Sequence, residues 1–191
     1  FLGAGVIIHA YHTQDMREMG GLRSKLPWTT VTFTIGSLAL AGVFPLSGFW
    51  SKDEILTVLW HEGHYVTWFV ALAAAFVTAF YVARLWFRVF TGPRQSEGLS
   101  EGHKEMLAPM GLLAAITVVI GFTGPMLGEF LGHEIPWPDP GMAVTSLVVG
   151  GAGIALGWWA YGRRRVVLNT RSLKQRAGYL YDALAQKLYF D

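Results

Sequence analysis

One lysine of this sequence stands apart because it lies inside an apolar segment. Lys52 follows the stretch from Pro45 to Gly48, where we expect a helix to break, and it precedes Asp53. A lysine at mid-membrane costs about 2.5 to 3.5 kcal/mol on insertion scales, and such residues commonly line the path of a proton, an ion or a substrate. Unwound backbone beside it would leave amides and carbonyls that need water or protein partners, and water drawn in could form a proton wire. We therefore predict that Lys52 carries a proton, with Asp53, on another helix face, as a later acceptor.

Two structural interpretations of Lys52 stay open. Its side chain could extend to the outer interface, since Trp60 is eight residues away. It could also form an inert ion pair with a carboxylate on another helix. A fully hydrated or carboxylate-locked Lys52 would favour these alternatives over proton transfer.

A second group with proton chemistry is a pair of histidines. His9 and His12 are spaced i, i+3, which places them on one helix face, and Asp15 would continue that face. Histidine titrates near neutral pH, so the pair could relay protons from the membrane edge. Interfacial histidines bonded to loop carbonyls are the alternative. A weaker polar stripe on the next helix could equally bond its own backbone: Thr30, Thr34 and Ser37.

Other chemistry is excluded or poorly supported. The sequence has no cysteine, which excludes disulfides, thiolate metal clusters and a cysteine nucleophile. His61 and His64 do not form an HExxH motif, and we expect no metal site, no cofactor and no redox centre in this chain. The net charge of +2 does not indicate nucleic acid, because the basic residues lie in short links between apolar segments.

The elements that position these residues follow from the distribution of charge. Only 15% of the 191 residues are charged, against about 25% in soluble domains. Four stretches of 26, 21, 23 and 23 residues contain no Asp, Glu, Lys or Arg, namely Leu26–Ser51, Gly63–Ala83, Met106–Gly128 and Pro140–Gly162. A membrane-spanning helix needs about 20 such residues. The fold class is therefore predicted to be all-α, a polytopic transmembrane helix bundle in residues 1–161.

We predict the following segments within the bundle: a partial first helix at 1–12, a broken helix at 28–60, and helices at 65–90, 106–131 and 142–161. As one straight helix, 28–60 would be about 50 Å long, which exceeds the bilayer. Its proline removes a backbone donor, so two half-helices with a short unwound link are expected. Gly153 and Gly157 form a small-xxx-small face for close packing of the last helix. Residues 162–191 form a basic, then amphipathic tail.

Two further expectations concern the ends and the orientation. The sequence starts with Phe1 and is apolar at once, so we expect it to begin inside a transmembrane helix of a longer protein. Fourteen of the fifteen basic residues fall in alternate loops and the tail, which predicts that they share the cytoplasmic side. They comprise seven residues after Tyr161 and Arg17, Arg23, Lys25, Arg84, Arg88, Arg94 and Lys104.

Two stretches resemble the antiporter-like membrane subunits of respiratory complex I, the proton-translocating NADH-quinone oxidoreductase, and in particular its subunit L. They are Gln14–Arg23, reading QDMREMGGLR, and Gly42–Leu56, which ends in FWSKDEIL. The end of the chain, with YDAL and KLYFD, looks like the family's lead-in to a long lateral helix. The family often has two prolines at the break, where this chain has Phe44-Pro45.

The resemblance implies roles for individual residues. Lys52 would be the terminal proton carrier of the pumping path, Asp53 would lie near the exit, and His12, with His9 by extension, would belong to a central polar axis. It also implies coupling to quinone reduction, the other membrane subunits of the complex as partners, and a bacterial inner membrane or an equivalent energy-coupling membrane. The family's upstream glutamate–lysine pair and its lateral helix are not in this sequence.

Two other function classes stay open. Multisubunit cation/proton antiporters, such as Na+/H+ antiporters, share the broken helix and its lysine, and would have no redox partner. The Lys52-Asp53 pair and the Gln14–Arg23 loop favour complex I, since the antiporters tend to carry Lys-Glu. A structural membrane module with an inert ion pair is the remaining alternative.

Overall fold

The computed structural model describes residues 1–16, 18–92, 101–102, 104–130 and 139–162, with the backbone alone for 124–130. Its helices are α1 (Leu2–Tyr11), α2 (Pro27–Ala41), α3 (Ser47–His61), α4 (Tyr65–Thr91), α5 (Lys104–Phe130) and α6 (Pro140–Gly157). A short 3-10 turn covers Leu22–Ser24, and α6 continues as a π-helical turn over Trp158–Gly162. No strand occurs in these ranges, and the prediction of an all-α membrane bundle is confirmed.

Among the described residues, three helices are long and apolar enough to cross a membrane by themselves. They cover Tyr65–Thr91, Lys104–Thr123 and Pro140–Gly162. Their outward faces carry large apolar side chains, among them Val66, Phe69, Phe122 and Val148, each more than 60% exposed. Such a surface is suited to lipid and not to water. The chain is an integral membrane protein.

The segment predicted at 28–60 consists of two helices of 15 residues each, α2 and α3. At 1.5 Å per residue each is about 22 Å long, which is less than the hydrocarbon core of about 30 Å. Neither helix could span by itself, but the pair in sequence could. The link between them, residues 42–46, therefore lies within the depth of the bundle.

α6 packs closely against α4 through its glycines. A Cβ on Gly153 would come within 2.7 Å of the Phe76 carbonyl, and a Cβ on Gly157 within 2.6 Å of the Ala83 Cβ. Both distances are shorter than real side chains tolerate, so only glycine permits this approach. The predicted small-xxx-small face is confirmed.

One end of the bundle collects the first loop, the start of α2 and the link between α4 and α5. Met19, Leu22 and Leu26 are buried against the end of α4, where Val89 and Phe90 are almost fully enclosed. Glu101, between α4 and α5, accepts hydrogen bonds from the backbone amides of Trp28 and Thr29, at 2.7 and 3.4 Å. These amides are among those that a helix start leaves without an intrahelical partner. The contacts place two of the predicted basic segments, the first loop and the link between α4 and α5, at the same end.

The tail predicted at 162–191 lies, beyond Gly162, outside the described residues, as do Arg17 and Arg94.

Candidate functional site

The interruption between α2 and α3 begins with a helix-ending motif centred on Gly42. The Gly42 amide donates to the Ala39 carbonyl and the Val43 amide to the Leu38 carbonyl, each at 3.0 Å. Gly42 adopts φ +80°, the left-handed conformation that this motif requires. Pro45 follows inside the turn closed by Leu46, and its peptide bond with Phe44 is cis. The sequence analysis did not single out Gly42, although glycine at a helix end is a recognisable signal.

We had predicted that Gly48 lies in the unwound link, but it lies in the first turn of α3. A Cβ there would overlap the backbone carbonyl of Ala39. Gly48 therefore allows α3 to lie directly on the end of α2. Gly42 and Pro45 produce the interruption itself.

Neighbouring helices approach the interruption through their own glycines. A Cβ on Gly121 of α5 would lie 2.8 Å from the Cα of Leu46, and one on Gly150 of α6 would lie 3.2 Å from the Ala41 carbonyl. In addition, the indole of Trp50 donates to the Gly121 carbonyl at 2.7 Å. The interruption is thus flanked by two neighbouring helices, α5 and α6.

Lys52 reaches back from α3 to the end of α2. Its Nζ donates to the Leu40 carbonyl at 2.5 Å, and its stem lies over Gly42, where a Cβ would come within 3.0 Å of the Lys52 Cδ. Leu40 is one of the last four residues of α2, whose carbonyls have no intrahelical donor. The negative end of the α2 dipole also favours a cation at this point. The side chain is half-buried.

No carboxylate of the described residues forms an ion pair with Lys52. Its ammonium is stabilised by a helix end and not by an opposite charge. Among the described residues, Lys52 therefore does not form the inert ion pair that we had kept as an alternative.

Asp53 faces a different neighbour. Its side chain is buried at 3% exposure and accepts a hydrogen bond from Ser146 Oγ of α6 at 3.2 Å. Successive residues of a helix are rotated by about 100°, which separates Asp53 from Lys52. Ser146 escaped the sequence analysis because no local pattern links it to a residue 93 positions earlier.

The histidines form a pair away from the interruption. The ring centroids of His9 and His12 are 6.1 Å apart, and both side chains are exposed. α1 ends at Tyr11 because His12 adopts φ 54°. Asp15 lies beyond that end, so our expectation that it continues the helical face is wrong. Within the described residues, no hydrogen bond or ring contact links either histidine to Lys52 or Asp53.

The polar stripe of α2 is partly satisfied by its own helix. Thr30 and Thr34 donate to the carbonyls four residues earlier, each at 2.6 Å, and the Trp86 indole donates to Thr34 Oγ1 at 2.9 Å. Thr34 and Ser37 also line a cavity of about 190 Å³ between α2, α4 and α6. A second cavity, of about 490 Å³, shares Leu38 with the first and extends to Gly42. Together they follow α2 to the interruption, between walls that are otherwise mostly apolar.

Comparison with known proteins now defines the class. Residues 1–78 match the family described as "NADH:quinone oxidoreductase/Mrp antiporter, TM". The chain belongs to this family of antiporter-like membrane subunits.

Individual relatives indicate which kind of subunit the chain is similar to. Over its whole length the chain is 35% identical to an NADH-quinone oxidoreductase subunit L of Rickettsia bellii and 33% identical to an NAD(P)H-quinone oxidoreductase chain 5 of Picosynechococcus, covering 33% and 35% of these proteins. Over 73% of the chain it is 40% identical to a subunit L of Campylobacter jejuni, of which it covers 24%. The chain spans about a third of the length of the first of these curated relatives.

Proposed function

We propose that the chain is part of a proton-translocating membrane subunit of an NADH-quinone oxidoreductase, and that Lys52 is a proton carrier in it. The observation that supports this most directly is the contact of Lys52 Nζ with the Leu40 carbonyl, at a helix interruption and without a carboxylate partner among the described residues. The names of the relatives support the enzyme complex. The chain itself would supply proton transfer and not electron transfer.

The physical argument concerns how firmly the proton is held. A full ion pair would fix the ammonium form, whereas a helix end offers a partial charge of about −0.5. A cation held in this way responds to a neighbouring charge, because no equal and opposite charge cancels the repulsion. Deprotonation leaves a neutral amine and a carbonyl that water can satisfy. Lys52 would thus release its proton when positive charge arrives nearby.

The remaining residues suggest a direction for the path. His9 and His12 would take up protons at the end that carries the basic loops, which we assign to the cytoplasm. The polar backbone of the unwound link, residues 42–46, would draw in water that connects to Lys52. Asp53, held by Ser146, would receive the proton on the side of α6. The partners would be the other membrane subunits of the complex, in a bacterial inner membrane or its equivalent.

A second candidate, a subunit of a multisubunit cation/proton antiporter, is favoured by the family description, which also covers Mrp antiporters. The relatives named for quinone reductases favour the first candidate. The two are separated by testing whether proton uptake by the intact assembly requires NADH and quinone or an opposing sodium gradient.

The role of Lys52 is tested by two substitutions in the intact subunit within its complex. Lys52→Met removes the charge, whereas Lys52→Arg keeps it but does not release a proton at physiological pH. Lys104→Met is the matched control, because Lys104 is exposed at the start of α5. Quinone-dependent NADH oxidation and proton uptake are recorded together in sealed vesicles, with assembly checked on native gels.

We expect both Lys52 variants to assemble and to lose proton uptake together with quinone-dependent oxidation, while Lys104→Met behaves as the wild type. Normal transport in Lys52→Arg would mean that the site needs a positive charge but no mobile proton. Normal transport in Lys52→Met would make Lys52 a bystander. Either result would overturn the proposed role.

A further inference from the structure

The strongest cluster of charge outside the interruption is a pair of arginines near the C-terminal end of α4. The guanidinium carbons of Arg84 and Arg88 lie 5.5 and 5.9 Å from the ring centroid of Tyr161. Both distances fall within the range of cation–π contacts. One tyrosine ring therefore gathers two like charges, spaced i, i+4 on one helix.

The packing of α6 on α4 fixes this ring. Gly157 lies against Ala83 too closely for any side chain, and Tyr161 follows in the π-helical turn. The Tyr161 ring also packs on Phe80 of α4, with 6.2 Å between ring centroids. The aromatic platform is thus part of the helix–helix contact.

The two positive charges have no counter-charge in the described part of the chain, where neither arginine forms an ion pair with a carboxylate. Like charges at i, i+4 repel each other, and the aromatic ring offers only its quadrupole. Arg84 is exposed and Arg88 half-buried, so an anion could reach both. A planar guanidinium group can bind two phosphate oxygens at once through two parallel hydrogen bonds.

The surroundings indicate how the anion is presented. Arg84 is the first charged residue after the 21 uncharged positions of α4 and its lead-in, and so marks the edge of the membrane. Val77 and Tyr81, at 56% and 46% exposure, continue the face of Arg84 and Arg88 into the apolar part of α4. Trp158 and Trp159, beside Tyr161, are also exposed, as in an interfacial belt. A phosphate above an apolar strip is the chemistry of a phospholipid.

We propose that Arg84, Arg88 and Tyr161 form a binding site for the headgroup phosphate of an anionic phospholipid, whose acyl chain lies along Val77 and Tyr81. The site lies at the end of the bundle that carries the basic loops, and anionic lipids are enriched in the cytoplasmic leaflet. It is separate from the proton path and does not depend on the role of Lys52.

The test uses the intact subunit in its assembled complex, reconstituted in phosphatidylcholine nanodiscs. A phosphatidylglycerol with a photoactivatable acyl chain is titrated in, and labelling of the α4 peptide is quantified by mass spectrometry. Unlabelled phosphatidylglycerol, phosphatidylcholine and inorganic phosphate serve as competitors. Arg84→Gln/Arg88→Gln is compared with Arg23→Gln/Lys25→Gln, which removes the same charge from the first loop at the same end.

We expect the Arg84→Gln/Arg88→Gln pair to weaken binding about 30-fold, from about fivefold per basic residue, and the control pair to leave α4 labelling unchanged. If the double variant does not assemble, Arg84→Gln alone should still show about the fivefold loss. Only unlabelled phosphatidylglycerol should compete.

Three results would overturn the proposal. Equal affinity of the wild type for phosphatidylglycerol and phosphatidylcholine would mean that a protein carboxylate, or nothing, occupies the pair. Competition by inorganic phosphate would indicate a site for a free anion. Labelling that is insensitive to both arginines would place the lipid elsewhere.

Discussion

Replacing Gly42 with alanine tests whether the helix end positions Lys52. Gly42 has φ +80°, and a Cβ there would lie 3.0 Å from Lys52 Cδ and 3.7 Å from its Nζ. The left-handed conformation costs a residue with a Cβ about 1–2 kcal/mol. The added methyl group would also push the lysine stem away, so that Nζ loses its contact with the Leu40 carbonyl. We therefore expect lower stability together with lower proton transport.

The chain offers controls that separate these two effects. Gly63 has nearly the same backbone conformation, with φ +74°, but a Cβ there would meet nothing within 4 Å. Gly63→Ala should therefore show the conformational cost of about 1–2 kcal/mol alone. Gly36, in the interior of α2, also has open space around it, and Gly36→Ala should stabilise by about 0.5–1 kcal/mol.

The assay combines two measurements on the intact protein. The free energy of unfolding is obtained by titration with sodium dodecyl sulfate in mixed micelles, and proton uptake is followed in sealed vesicles. Gly42→Ala should be destabilised at least as much as Gly63→Ala, because it also crowds the Lys52 stem, and only Gly42→Ala should lose transport. Normal transport in Gly42→Ala, or an equal loss in Gly63→Ala, would refute the argument that the Gly42–Lys52 contact sets the position of the ammonium.

Two other contacts give predictions of the same kind. Ser146→Ala removes the hydroxyl that donates to buried Asp53, which should cost about 1–3 kcal/mol of stability and slow proton uptake. Thr145→Ala, next to it on α6, is the control, because it removes only a hydrogen bond within its own helix. Identical behaviour of the two variants would rule out a role for the Asp53–Ser146 bond. Gly157→Ala places a Cβ 2.6 Å from that of Ala83 and should destabilise the protein by about 1–3 kcal/mol in the same titration. Gly151→Ala, whose Cβ would meet nothing within 4 Å, should not destabilise it. A stable Gly157→Ala variant would show that α4 and α6 can separate without cost.

The membrane bundle could be predicted from the sequence because its cause is local. A charge-free stretch of more than 20 residues is costly in water and stable as a helix in lipid, wherever the rest of the chain lies. The small-residue face of Gly153 and Gly157 was predictable for the same reason, since it depends only on the spacing of two glycines, whereas its partner α4 was not. Pro45 likewise predicts an interruption, because its effect is on its own turn.

The details of the interruption depend on tertiary contacts, and there the sequence was less informative. Gly48 and Gly42 both lie near Pro45, and either could have ended α2. The choice follows from how α3 lies on α2, since Gly48 is needed at the contact with Ala39 and Gly42 takes the left-handed turn. The expectation for Asp15 was wrong for a different reason: the helical spacing of His9 and His12 was extended past the residue where α1 ends. His12, at φ 54°, already closes α1.

The two ends of α2 show why its place in the site could not be predicted locally. At its start, Glu101 binds the free amides of Trp28 and Thr29, and at its end Lys52 binds the free carbonyl of Leu40. A carboxylate therefore sits at the positive end of the helix dipole and an ammonium at the negative end, each in its favourable position. Both partners lie outside α2, one of them more than 70 residues along the chain. The surroundings of Lys52 thus depend on where α2 starts and stops, and the loop between α4 and α5 helps to set that start.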